Sequence, residues 1–184
     1  MKRVIKNVKP KLLLHICCAP CGAYVSQKLS EKFDLVLYFC NSNIDNSQEF
    51  QKRFEEVKYI AKKFDLQLIY KKYNHEEWLS KIKGLEKFKE GNKRCLICYE
   101  DRLASLVKKS RELKIKNFST TLSISPHKDY QKIKTIGAKL AKENKLFFVD
   151  DDFKKKDGFK KSSILAKELN LYRQNYCGCE FSRR

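Results

Sequence analysis

The stretch KLLLHICCAPC, Lys11 to Cys21, decides the fold class. Lys11–Cys17 is a nearly continuous apolar run, the pattern of a strand buried on both faces of a parallel sheet. Pro20 and Gly22 break it, and Ala23–Lys32 then takes on helical character. The alternation repeats downstream. Leu35–Cys40 reads as a second strand, ended by the polar turn Asn41-Ser42-Asn43. Ser47–Phe64 is an amphipathic helix, with Phe50, Phe54, Val57, Ala61 and Phe64 spaced to share one face. Leu66–Tyr70 is a third strand, His75–Ile82 a short helix and Lys83–Arg94 a basic connection. Tyr99–Leu113 reads as a helix opening directly after Cys98, followed by a strand at Asn117–Leu122. A helix at Asp129–Asn144 and a fifth strand at Leu146–Val149 complete the pattern. This order predicts a parallel α/β sheet with crossover helices, in a single domain spanning residues 1–184.

Composition bounds the rest. A chain of 184 residues with 42% hydrophobic content can bury a substantial core and is not globally disordered. No apolar run approaches the roughly 18 residues of a spanning helix, so no membrane association is expected. The start, MKRVIKNVKPKLLLHICC, is basic and then apolar, which mimics a secretion signal. Its apolar part, Leu12–Ile16, is too short for one, and a cytoplasmic location is expected instead. The net charge of +19, from 41 basic and 22 acidic residues, favours polyanionic partners through long-range attraction and counterion release. A lysine-rich composition with ordinary solvated helix faces is the plainer alternative.

Eight cysteines fall into three clusters and one stray: Cys17-Cys18 with Cys21, Cys95 with Cys98, Cys177 with Cys179, and Cys40 alone. In reducing cytosol, short-spaced pairs bind metal or do redox chemistry more often than they form structural disulfides. Thiolates from separate segments meet only if the fold converges them, which points to one iron–sulfur or zinc site. In open α/β sheets such sites lie beyond the carboxyl ends of strands, where Cys17-Cys18, Ser123–His127 and Asp150–Asp152 fall. A helix beginning after Cys98 would aim its amides at the thiolates. With only Gly178 between them, Cys177 and Cys179 can form a strained, easily reduced ring, better suited to electron relay than to stability.

Other signals are weaker. His15, inside an apolar strand, has the pattern of a satisfied core histidine, and Asp150-Asp151-Asp152 that of a turn or helix cap. Tyr172, Arg173, Tyr176 and Phe181, interleaved with Lys160, Lys161, Lys167, Arg183 and Arg184, could form a surface for unstacked bases. Packing against the core explains those aromatics equally well. Neither a Walker-type loop nor a GxGxxG motif is present.

A longer ordered set is more specific. It begins HICCAPC at His15–Cys21, then Asn41-x-Asn43-Ile44 with Glu49 and Arg53, and Gly84-Leu85-Glu86 leading to Arg94-Cys95-x-x-Cys98-Tyr99. Arg102-Leu103, Thr120-Thr121-Leu122, Ser125-Pro126 and Asp152-Phe153-Lys154-Lys155 follow. The set closes with Tyr172-Arg173-Gln174-x-Tyr176-Cys177-Gly178-Cys179. Over nearly its whole length the chain resembles the QueH family of epoxyqueuosine reductases. The resemblance implies a HUP-type, adenine nucleotide alpha-hydrolase-like fold with its cysteine-rich site at the carboxyl ends of the strands. It implies reduction of epoxyqueuosine in the anticodon arm of tRNA, the last step of queuosine synthesis, fed by an unidentified electron donor. By position it implies Cys17, Cys18, Cys95 and Cys98 as [4Fe–4S] ligands, and Cys177 and Cys179 as a redox-active pair in a C-terminal segment closing the site. An additional mononuclear iron is also implied, for which Cys21 and Asp152 are the candidate ligands. One departure is Cys40-Asn41-Ser42, where relatives usually carry Tyr-Asn-Pro, which leaves Cys40 outside the ligand set.

Two other functions compete. A zinc-stabilised RNA-binding module explains the charge and four cysteines but leaves Cys177 and Cys179 idle. A tRNA sulfurtransferase-like, nucleotide-activating enzyme would want an SGGxDS-like loop after the first strand, where Cys18-Ala19-Pro20-Cys21-Gly22 stands instead.

Overall fold

Leu12, Leu13 and Leu14 are all fully buried, yet they belong to two different cores. Successive strand side chains point to opposite faces, so a strand whose three consecutive central residues are all leucine must be covered on both. In the computed structural model, which describes residues 8–183, this strand is β1 (Lys11–His15). It is the middle of a five-stranded parallel sheet. The other strands are β2 (Asp34–Phe39), β3 (Gln67–Tyr70), β4 (Asn117–Thr120) and β5 (Phe147–Phe148), in the order β3-β2-β1-β4-β5. The order reverses between β1 and β4, and a doubly wound sheet opens its ligand crevice beyond the strand ends at that point.

Helices α1 (Ala19–Ser30), α2 (Ser47–Lys63) and α6 (Gly158–Glu168) cover the Leu12 and Leu14 face; α4 (Lys93–Glu112) and α5 (Tyr130–Asn144) cover the Leu13 face. Helix α3 (His75–Lys81) carries Trp78 into a third, smaller cluster with Ile82, Cys98 and Cys179. Full burial of each leucine is worth about 1.5–3 kcal/mol.

The elements depart from expectation where caps and tertiary packing outweigh local pattern. Helix α1 begins at Ala19, four residues early, because proline is tolerated in a first turn and Pro20 stands there. Gly22 lies inside the helix at a close approach, where a Cβ would sit 2.0 Å from Ile16 Cδ1. Helix α4 begins at Lys93 under an Asn92 cap, so Cys95 and Cys98 lie within its first turns rather than ahead of it. The expected aim of helix-start amides from behind Cys98 is therefore corrected. Strand β4 ends at Thr120 and continues as a 3₁₀ turn, Thr121–Ile124. Helix α6 follows the acidic triplet, where no element was expected.

Candidate active site

Strand register brings the site together. His15 and Thr120 are paired across β1 and β4, and His15 Nδ1 lies 2.8 Å from Thr120 Oγ1. The other ring nitrogen faces Asn41 Oδ1 at 3.4 Å. Burial first, and then nearby Arg102, lower the His15 pKa to about 3. The ring is therefore a neutral strut, as its sequence pattern suggests. Beyond it the chain turns into Cys17 and Cys18, the Cys17 amide donating to Thr121 Oγ1 at 3.3 Å.

The sulfurs of Cys17, Cys18 and Cys21 all lie within 4.8 Å of one another. Hydrogen bonds from Cys18 and then Cys21 hold Cys17 well below the ordinary thiol range. Cys18, hydrogen-bonded to Cys17, is pushed up to about 11, and Cys21 is raised well above the ordinary thiol range by its hydrogen bonds to Cys17 and then Cys18. Three sulfurs this close, with the thiolate favoured at Cys17, are the electrostatic starting point for binding a cation.

These three cysteines and Cys177 line a cleft of about 310 Å³. A smaller pocket beside it is walled by Cys95, Cys98, Cys177 and Cys179. Glu90, Arg102, Lys128, Cys177 and Ser182 border both, so seven cysteines line two adjoining cavities. Cys40 does not join them; it is 3% exposed, and burial raises its pKa to about 12. All eight thiols are free.

Helix α4 supplies the site from one face. Cys95, Cys98 and Arg102 are spaced three and four apart, the spacing of neighbours on a helix surface. Arg102 Nη2 donates to Cys98 Sγ at 2.9 Å, and the Gly91 amide to Cys95 Sγ at 3.1 Å. Burial opposes charge on Arg102 and Lys128. The facing sulfurs (Cys98 for Arg102, Cys17 for Lys128, and Cys177 for both) nonetheless raise both pKa values.

The C-terminal segment closes one wall. Arg53, 2% exposed and paired with Glu49 at 2.7 Å, donates to the Cys177 carbonyl at 3.0 Å. Asp45 receives the Tyr176 hydroxyl at 2.9 Å, and its amide donates to the Gly178 carbonyl at 2.8 Å. Cys177 Sγ donates to Ser182 Oγ at 3.0 Å. Tyr176 and Phe181 stack with Arg183 and Arg94, so packing accounts for much of this aromatic set. Arg184 lies outside the described residues.

The acidic triplet behaves as turn residues. Asp150 accepts from the Tyr130 hydroxyl at 2.7 Å, Asp151 pairs with Lys28 at 2.7 Å, and Asp152 accepts from the Lys154 amide at 3.3 Å. Asp152 is not among the residues lining either cavity, so the structure does not bring it to Cys21.

The pocket's chemistry fits an iron–sulfur group. The cysteines are soft donors, and buried Arg102 with half-buried Lys128 would offset the negative charge of a thiolate-ligated cluster. Trp78 Nε1 and Arg94 Nε are buried N–H donors without a partner, and both residues wall the smaller pocket. Buried donors are rarely left unsatisfied, and inorganic sulfide is an acceptor. Arg94 stands in the ordered motif set ahead of Cys95, whereas Trp78 had no readable signal in sequence as part of the site.

A family model described as epoxyqueuosine reductase QueH matches residues 12–184. The chain belongs to that family. A QueH from Streptococcus pyogenes is 34% identical over 97% of this chain and 72% of its own length. One from Thermotoga maritima is 35% identical over 93% of this chain and 89% of its own length. A U34-tRNA thiolase, NcsA from Methanococcus maripaludis, solved with its [4Fe–4S] cluster, superposes at a TM-score of 0.60 with 13% identity. That match covers 100% of this chain and 63% of the thiolase, and shows a shared fold.

Proposed function

We propose that this chain reduces the epoxide of epoxyqueuosine in tRNA to the alkene of queuosine. The observation that carries the reading is seven cysteines lining two adjoining cavities, at the strand switch point of a chain that belongs to this family. In the reaction both epoxide C–O bonds break and a C=C bond forms. Two electrons and two protons enter, and the oxygen leaves as water. Oxidation of the Cys177 and Cys179 thiols to a disulfide releases two electrons and two protons, which balances the step. An external electron donor must then restore the dithiol.

Cys17, Cys18, Cys95 and Cys98 are the thiolates proposed to hold a [4Fe–4S] cluster, with Cys21 left for an additional iron. Bound there, the cluster would pass electrons singly and the iron would polarise the epoxide oxygen. Arg102 and Lys128 compensate charge in the cleft wall, and the clamp on Cys177 and Gly178 holds the dithiol segment against it.

The cleft suits an extruded nucleoside. Arg53, Arg102, Lys128 and Arg173 line it with Glu90 as the single acid, a balance that attracts phosphate. Phe159, 39% exposed, stands at the cleft beside Lys160 and Lys161 and offers a stacking surface. Action on tRNA implies a cytoplasmic protein; among the described residues no helix is long and apolar enough to cross a membrane.

Nucleoside analysis of epoxyqueuosine-bearing tRNA, after incubation with anaerobically reconstituted, reduced protein, tests the reading. Queuosine should accumulate, and the protein should contain iron and inorganic sulfide. Stoichiometric zinc without sulfide, and no turnover, would favour the zinc-stabilised RNA-binding module. Replacing Cys177 and Cys179 together by serine should leave the cluster spectrum intact and abolish reduction.

A further inference from the structure

The wall of the larger cleft contains a buried acceptor with nothing to accept. Among the described residues lining that cleft, Gln174 alone carries a buried side-chain polar atom, its Oε1, without a hydrogen-bond partner. Leaving such a group unpaired costs the full desolvation penalty of the amide, so an orphan of this kind in a ligand cleft calls for a ligand donor.

Its position is fixed rather than accidental. Two residues before it, the Tyr172 amide donates to Glu56 Oε2 at 3.0 Å and the Tyr172 hydroxyl to Glu49 Oε2 at 3.1 Å. Two residues after it, the Tyr176 hydroxyl is held by Asp45 at 2.9 Å. Gln174 therefore sits between two anchored tyrosines, three residues from Cys177. The smaller pocket presents orphaned donors, which suits acceptors such as sulfide; the larger cleft presents an orphaned acceptor. The two cavities thus ask for opposite chemistry.

We infer that Gln174 is a specificity-determining residue whose Oε1 accepts a hydrogen bond from the nucleoside in the cleft. The donor is an N–H of the base edge or an O–H of the appended cyclopentane ring. This inference rests on the functional reading above and adds the group that registers the substrate against the cysteines. A site built to receive such a donor discriminates strongly, because a ligand lacking it leaves the acceptor buried and unpaired.

The test is Gln174→Met, close in length and without the amide, in the reconstituted holoprotein. Binding of epoxyqueuosine-bearing tRNA and of the same tRNA without the modification is measured with no electron donor present, together with iron and sulfide content and thermal melting. Affinity for the modified tRNA should fall about tenfold or more. The melting temperature should stay level or rise, because an unpaired buried amide has been removed. A loss confined to the modified tRNA puts the donor on the cyclopentane ring, and an equal loss for both tRNAs puts it on the base edge. Gln174→Asn, which retracts the amide by one methylene, should show the same loss. Unchanged affinity in a fully iron-loaded variant overturns the inference. So does a lowered melting temperature in both variants, which marks a structural strut. If the parent protein neither prefers nor reduces the modified tRNA, the functional reading falls and this inference with it.

Discussion

Arg102 joins the two groups of thiols electrostatically. Its guanidinium donates to Cys98 Sγ, its charge is favoured by Cys98, Cys17 and Cys177, and it is only 5% exposed. Removing one partner of a buried charged pair is expensive, so Arg102→Met should cost about 3 kcal/mol of holoprotein stability. It should also make the reduction potential of the bound cluster more negative, since N–H donors to ligand sulfur favour the reduced form. Potentiometric titration checks this; an unchanged potential removes Arg102 from the site's electrostatics. Glu77, beside Trp78 on α3, gives a pH signature. Lys81 at 2.6 Å and Lys71 at 2.9 Å hold its pKa down from 4.5 to about 2. A depressed carboxylate pKa contributes stability above its unfolded value, and that contribution is lost as pH falls through the folded one. Glu77→Gln should therefore flatten the acid limb of stability between pH 4.5 and about 2. Because the pair is one-third exposed, the loss near neutral pH should stay at about 0.5–1 kcal/mol. At this scale the cysteines were legible because soft ligands in short spacings have few other uses. Lys128 and Trp78 were not, since their roles come from what the fold sets opposite them.

Among the elements, the C-terminal segment is the one whose placement depends on a single backbone conformation. Gly178 has φ +113°, and a Cβ there would lie 3.0 Å from Arg53 Nη1 and 3.2 Å from Ile44 Cγ1. Gly178→Ala should therefore cost about 1–3 kcal/mol, concentrated in the segment rather than the sheet. Hydrogen exchange should show faster amides around Cys177 and Cys179, with β1 and β4 unchanged and reduction of substrate impaired. Uniform protection across the chain would mean that the segment absorbs the methyl without leaving its clamp. The strand pattern and the long amphipathic α2 were readable because their periodicities are set by burial. Helix starts were not. Pro20 and Gly22 look like breakers until Pro20 is seen in a first turn and Gly22 against Ile16, and the basic residues before Cys95 look like loop until Asn92 is seen to cap α4.

For the whole molecule, the +19 charge matters through where the sheet gathers part of it. Linear sequence separates Arg53, Arg102, Lys128 and Arg173 widely, and only the β1/β4 switch point places all four around one cleft with a single carboxylate. The compositional alternative, lysines merely solvating helix faces, predicts weak association with no fixed stoichiometry of charge. A phosphate-led grip predicts a definite one. Each neutralised phosphate contributes about −0.7 to −0.9 to the slope of log affinity against log salt, so a grip on even two or three phosphates gives a slope of about −2. The exposed Lys160 and Lys161 on α6, beside Phe159 at the cleft, should steepen it further. Reversing both to glutamate should weaken tRNA binding at every salt concentration and make the slope shallower by about one to two. It should leave iron content and melting nearly unchanged, because neither side chain is buried. A parent slope near zero, or a double reversal that leaves both affinity and slope intact, would assign the excess charge to composition rather than to tRNA binding.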